Sequence, residues 1–303
     1  MLKFLLLTSL VATQGSLPFL NVENNENNTC YSSLDSTTES AHSYNNESFI
    51  VYEDEANQIL SSLSKDKYFP YQDIIVNKDV LWKGLGPDNS SRYDAIHSVI
   101  SSQYNRSISM LDVGASNGYF SIRAVQDFQG QSVMTDMSDR LTDICRLNTD
   151  ITNKLIYIKK QFSAEDLKKM GSSVHFDLII GLNVLHHIPE WKQFIEEMFN
   201  IADTVIIETP PAGDPRSLYK TNISAIEEEM VARQGIVIAK TPRVLPGKHQ
   251  NLKKMESGLN LENAVDLEVV ASMYLFQGGR KNDNFQEINV NDLSQFELAY
   301  PKK

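Results

Sequence analysis

Apolar positions first recur at helical spacing at Ile59, Leu60 and Leu63, in a helix expected over about 53–64, and again at Ile96, Val99 and Ile100, in one expected over 92–104. Between them Trp82-Lys83-Gly84-Leu85-Gly86-Pro87 reads as a loop, because glycine and proline punctuate both helices and strands. From Ile108 the pattern changes. Short apolar runs over 108–113, 132–135, 155–159, 176–180 and 204–207 predict strands. They alternate with helical stretches over 119–127, 139–148 and 164–170, one opened by Pro189, and one over 217–233 stopped by Gly235. In the helix after Pro189, the residues Trp191, Phe194, Ile195, Met198, Phe199 and Ala202 fall on one face. Two late runs, 236–239 and 269–276, add strands. Strands alternating with helices imply an α/β fold, a mostly parallel sheet covered on both faces.

Composition narrows the class. At 303 residues, 41% hydrophobic and 22% charged, the chain can bury a real core, which excludes a wholly disordered or collagen-like protein. No run approaches the length of a membrane-spanning helix. The net charge of -11 is unevenly spread: Lys3 is the only base among residues 1–60, against eight acids. The overall balance shows no basic footprint, which disfavours nucleic acid as a partner without excluding it; Lys240, Arg243, Lys248, Lys253 and Lys254 could form a local patch. Cys30 and Cys145 make no disulfide framework, and no metal site is expected.

The N-terminus has the outline of a secretory signal: Lys3, the apolar run Phe4 to Ala12, then small residues before a cut after Gly15. A secreted or secretory-pathway location follows if that segment is cleaved, a cytoplasmic one if it is not. Residues 16–48 are an acidic, Asn- and Ser-rich tail with too few apolar positions to offset chain entropy. Sequons stand at Asn27, Asn46, Asn89, Asn105 and Asn222, as an Asn- and Ser-rich chain produces by chance. The expected organisation is a signal over 1–15, the tail over 16–48, a helical extension or lid over 49–105, the main α/β domain over 106–280 and a C-terminal tail over 281–303. Nothing in the pattern sets an oligomeric state.

Open α/β sheets bind ligands beyond the carboxyl ends of their strands. After the first strand of the alternating region comes Asp112-Val113-Gly114-Ala115-Ser116-Asn117-Gly118-Tyr119. Its glycines permit a tight turn with a helix N-terminus behind it, and Asp112 offers a carboxylate at the strand end. Asp136, followed by Met137, ends the next strand 24 residues beyond Asp112, the distance at which a carboxylate grips a ribose. The loop is not G-x-G-x-x-G, which disfavours a nicotinamide-dependent oxidoreductase.

The segments ISMLDVGASNGYF, SVMTDMS and FDLIIGLNVLHHIPEW, in this order and spacing, resemble the class I (seven-strand, Rossmann-like) S-adenosylmethionine-dependent methyltransferases over residues 90–280. The resemblance implies a sheet of order 3-2-1-4-5-7-6 with the seventh strand antiparallel, and S-adenosylmethionine as cofactor. It places Asp112, Gly114 and Gly118 in the nucleotide-binding loop, Asp136 on the ribose, and Asn183 by the cofactor's amino-acid end. Two positions depart from it: Ser116 stands where the middle glycine is usual, and Phe162-Ser163 stands where an acidic residue often meets adenine, leaving Ser163 to accept that bond.

Methyl transfer is an in-line displacement, so positioning and exclusion of water carry much of it. A base is needed only when the acceptor must lose a proton. His186 and His187, just after the fourth strand of the domain, titrate in the right range; Glu208, after the fifth, is a second candidate. Trp82, Lys83 and Arg92 precede the domain where such enzymes often carry a lid. The expected function is therefore S-adenosylmethionine-dependent methyl transfer, most readily to a small-molecule acceptor, otherwise to a modified macromolecule. A non-catalytic methyltransferase-like protein of the secretory pathway, binding a ligand or partner, is the alternative.

Overall fold

The structure of the chain is a computed structural model describing residues 57–59, 61–62, 71–84, 86, 88–210, 222–243, 269–277 and 284–301. The expected signal, the polar tail, most of the helix over 53–64 and the basic residues Lys248, Lys253 and Lys254 lie outside the described residues.

A two-stranded antiparallel hairpin comes first, β1 (Ile74–Val76) and β2 (Asp79–Trp82). Its turn residues Asn77 and Lys78 both take positive φ (46° and 78°), which matches the twist of a tight hairpin. Strands this short carry no readable alternation, and the sequence pattern showed only a loop from Trp82 onward. Helix α1 (Asn89–Gln103) follows, opened by Asp88, whose side chain accepts the Ser90 N–H.

The rest alternates as expected: β3 (Ser109–Val113), α2 (Tyr119–Phe128), β4 (Gln131–Asp136), α3 (Arg140–Leu147), β5 (Leu155–Lys159), α4 (Ala164–Gly171), β6 (Phe176–Leu182), α5 (Trp191–Ile201), β7 (Ala202–Thr209), α6 (Asn222–Ala232), β8 (Ile236–Arg243) and β9 (Val269–Gln277). Strands β3 to β9 form one seven-stranded sheet of order β5-β4-β3-β6-β7-β9-β8. All neighbours are parallel except β9, which runs antiparallel to both β7 and β8. This is the 3-2-1-4-5-7-6 arrangement that the resemblance implied.

The sheet is buried on both faces, which is why its inner strands read as unbroken apolar runs. Leu111 and Val113 of β3 join one core cluster with Phe176, Ile179, Val205 and Ile207. Met110 joins the other, with Leu178, Ile180 and Ile206, under Ile96, Val99 and Ile100 of α1. At the amino end of the sheet Arg106 clamps Asp177 with two bonds of 2.8 and 2.9 Å, and the same carboxylate accepts the Ser109 N–H. The C-terminal segment, expected as a tail, packs into the domain: Ile288, Leu293 and Phe296 enter one core cluster and Tyr300 the other. Among the described residues no helix is long and apolar enough to cross a membrane.

Candidate functional site

The chain leaves β3 in one direction, toward β4 and β5, and returns on its other side to β6 and β7. The loops after β3 and β6 therefore diverge, and a cleft opens between them at the carboxyl ends. It has two lobes, of about 280 and 270 Å³, that share Gly114, Asp136, Val184 and His187. One lobe is lined by polar groups, among them Gln72, Arg92, Ser116, Asn183 and His186. The other is mainly apolar, with Val113, Met137, Phe162 and Ile188.

The loop after β3 is built from alternating left-handed residues: Gly114, Ser116 and Gly118 have φ of 72°, 56° and 74°. This winding turns Gly114 and Ser116 to the cleft, while Ala115, Asn117, Gly118 and Tyr119 are buried and line neither lobe. A Cβ on Gly114 would lie 2.8 Å from Val184 Cγ2, so the residue also brings the β3 and β6 loops together. Ser116, at the usual glycine position, adopts the left-handed conformation and donates its N–H to Asp136 Oδ2 at 2.8 Å.

Gln72, ahead of the hairpin, holds the next part of the loop. Its Oε1 accepts the Asn117 and Tyr119 N–H groups at 3.2 and 3.3 Å, and its carbonyl accepts Asn117 Nδ2 at 3.0 Å. Two backbone amides at the approach to α2 are thus held by a neutral side chain.

Asp136 stands at the waist between the lobes. Each of its oxygens accepts one backbone N–H, from Ser116 and from Ser138 (2.9 Å), leaving further lone pairs for a ligand's hydroxyls. Met137 beside it is 60% exposed and lines the apolar lobe. Asp112 lies elsewhere. It is 2% exposed, faces no lobe, and accepts the Ser121 hydroxyl at 2.8 Å, which in turn accepts that of Ser132, tying α2 to β3 and β4. Burial pushes its carboxyl up to about 7; the Ser121 bond and Arg92 oppose the rise and Asp136 adds to it.

Ser163 caps α4 in a capping box with Asp166, its Oγ committed to that pair, and it lines neither lobe. His186 and His187 occupy a short 3₁₀ turn after β6 with ring centroids 3.9 Å apart. His186 is buried and His187 half-buried; both line the polar lobe, and His187 reaches the apolar one.

Glu208, expected as an acid or base, is buried behind the cleft and does not line it. Its carboxylate pairs with the Arg92 guanidinium, which is itself 1% exposed and lies 4.8 Å from the centre of the Phe120 ring. The same carboxylate accepts Asn183 Nδ2. Asn183 has φ 56°, its N–H donates to the Glu208 carbonyl at 3.0 Å, and its Oδ1 is buried with no hydrogen-bond partner. Of the residues considered for a lid, Arg92 lines the polar lobe from α1, Trp82 packs against the core, and Lys83 pairs with Asp73. Gln72 and Tyr71 were not singled out from sequence, and no local motif marks either one. Among the described residues no three His, Cys, Asp or Glu gather to hold a metal.

A family described as a methyltransferase domain matches residues 85–234, the part that supplies every cleft residue except Tyr71 and Gln72. Among solved structures the bifunctional kinase-methyltransferase WbdD is similar at 19% identity and a TM-score of 0.52, covering 75% of this chain and 47% of that one. The chain thus spans about half the length of WbdD. The putative RNA methyltransferase PH1948 from Pyrococcus horikoshii matches at 15% identity and a TM-score of 0.42, over 73% of this chain and 98% of that one. The N-methyltransferase NodS from Bradyrhizobium japonicum WM9 matches at 13% and 0.42, over 64% and 99%. At 19% identity the likeness to WbdD is one of fold. A search of the curated proteins found no significant match.

Proposed function

We propose that the chain is a class I methyltransferase that transfers a methyl group from S-adenosylmethionine to a small-molecule or modified macromolecular acceptor, a reading supported by the methyltransferase-domain match over residues 85–234. The observation that carries this reading is the two-lobed cleft with Asp136 at its waist. An apolar lobe with Phe162, Met137 and Ile188 suits a nucleobase. A carboxylate with lone pairs to spare suits the ribose hydroxyls, and a polar lobe lined by Arg92, Gln72 and Asn183, whose buried Oδ1 has no partner, suits a charged amino-acid end. Bound there, S-adenosylmethionine supplies an electrophilic methyl on a sulfonium.

The chain's own contribution is placement. The Gly114–Ser116 turn brings backbone close to the waist, Asp136 fixes the sugar, and Asn183 receives a donor in the polar lobe. His187 is the candidate base for an acceptor that must release a proton, with His186 packed against its ring. Small acceptors suit the polar lobe better than nucleic acid does, given the net charge of -11.

Calorimetric titration of the full chain with S-adenosylmethionine and S-adenosylhomocysteine, with NADH as control, tests the reading. Micromolar binding of both sulfur compounds and none of NADH is expected. Asp136→Ala should weaken binding by roughly a hundredfold, since it removes two charge-assisted bonds to the ligand. A folded chain that ignores both compounds sinks the proposal.

A further inference from the structure

The C-terminal segment 284–301 lies beyond the residues matched by the methyltransferase family, yet it reaches the nucleoside lobe by two routes. Along the sheet edge, Tyr157 of β5 donates its N–H to the Tyr300 carbonyl at 2.7 Å, and its own carbonyl accepts the Ala299 and Tyr300 N–H groups at 2.8 and 3.1 Å. The Tyr157 hydroxyl, at the far end of the same residue, lies 3.0 Å from the Asp136 carbonyl and 2.8 Å from that of Ser138. The segment therefore pins the residue that pins the turn carrying the waist carboxylate. The second route is aromatic. Phe296 stacks on Phe162, with centroids 5.2 Å apart and planes 23° from parallel, and Phe162 lines the apolar lobe. A third anchor, Gln131 Oε1 accepting the Ile288 N–H at 2.6 Å, ties the start of the segment to β4.

We propose that this segment is a positioning element for the nucleoside end of the cofactor, with Phe296 setting the place of Phe162 in the lobe wall. The inference rests on the cofactor reading above. Its reasoning is mechanical. Phe162 lies three residues beyond the end of β5 and directly precedes the Ser163 cap, so regular structure holds its backbone on the α4 side only. A ring at that point keeps one position when a second ring lies flat against it, and an offset aromatic pair supplies that restraint better than an aliphatic contact does.

The test uses the full chain with Phe296→Leu, Phe296→Ala, Phe162→Ala and the Phe162→Ala/Phe296→Leu double variant. Each is titrated with S-adenosylhomocysteine and with 5′-methylthioadenosine, which lacks the amino-acid end, at a temperature well below the melting point of every variant. Phe296→Leu retains apolar volume and should fold; Phe296→Ala gauges the larger cavity. The expected result is that Phe296→Leu weakens both ligands by the same factor, about three- to tenfold, the worth of an aromatic pair. In the Phe162→Ala background Phe296→Leu should cost nothing further. A role in packing alone would lower the melting temperature and leave both dissociation constants where they were, which overturns the proposal. So does a loss confined to S-adenosylhomocysteine, or one that persists without Phe162. If the unaltered chain binds neither compound, it is the cofactor reading that fails.

Discussion

A carboxylate can only accept, so Glu208, already holding the Arg92 guanidinium, obliges Asn183 to offer it the amide N–H and to keep Oδ1 for something else. Asn183 lines the polar lobe and its Oδ1 is buried without a partner, so a small shift of the amide would offer that acceptor to a donor such as the ammonium of an amino-acid end. Asn183→Gly tests this cleanly, because glycine tolerates the φ of 56° while the amide is lost. It should weaken S-adenosylhomocysteine about tenfold and leave 5′-methylthioadenosine unchanged in the same titration. Asp112 makes a different prediction. In the unfolded chain its carboxyl ionises near pH 4, but in the fold only near 7, so between those values the folded state binds the extra proton. Its contribution to stability is therefore fully present below about pH 4 and declines as pH rises to about 7, by at most about 4 kcal/mol. Urea titrations at pH 4.5 and 7.5 should show Asp112→Asn flattening that dependence; an unchanged slope would mean the carboxyl is ionised in the fold throughout.

Among the elements, the loop after β3 shows how much local sequence can say. Gly114, Asp136 and the histidine pair reach the cleft as the strand-end rule requires, whereas Gly118 turns inward. What was illegible shares one property, distance along the chain. Gln72 meets the loop across 45 and 47 residues, and Arg92 meets Glu208 across 116. Gln131 meets Ile288 across 157 residues. No period or spacing records such pairs. Asp112 misled for a related reason: a strand-end carboxylate looks the same in sequence whether it turns to the cleft or to a serine on the next helix. Ser163 likewise reads as a ligand contact or as a cap, and the Asp166 three residues on makes it a cap. The loop itself allows a sharp contrast. Gly114→Ala must force both a left-handed alanine, at about 1–2 kcal/mol, and a shift of Val184, which lines both lobes. Ser116→Gly relieves a similar strain but loosens the unfolded chain by up to about 1 kcal/mol, so its net effect should be small. Thermal melts with and without S-adenosylhomocysteine would separate the two, with ligand-induced stabilisation lost only in Gly114→Ala.

Across the whole molecule the class of fold was plain from the alternation of runs, whereas the order of strands was not. Periodicity identifies a strand without naming its neighbours, and the 3-2-1-4-5-7-6 order came from the resemblance. The burial that makes the runs apolar also silences Cys145, whose thiol burial pushes well above its ordinary value. In a Cys30→Ser chain, labelling by a thiol reagent should follow global unfolding, slowing with any ligand that stabilises the fold. The place of β9 has a further side, one that concerns time. A ribosome releases β7 and β8 before β9, yet β9 lies between them in the sheet. Until residue 277 has left the exit tunnel, β7 has only β6 beside it, and β8 has no strand to join. A nascent chain would meanwhile hold the strands of its cleft with one apolar edge open to any passing strand. A message cut short before codon 269 should therefore yield a client for chaperones and not a smaller enzyme.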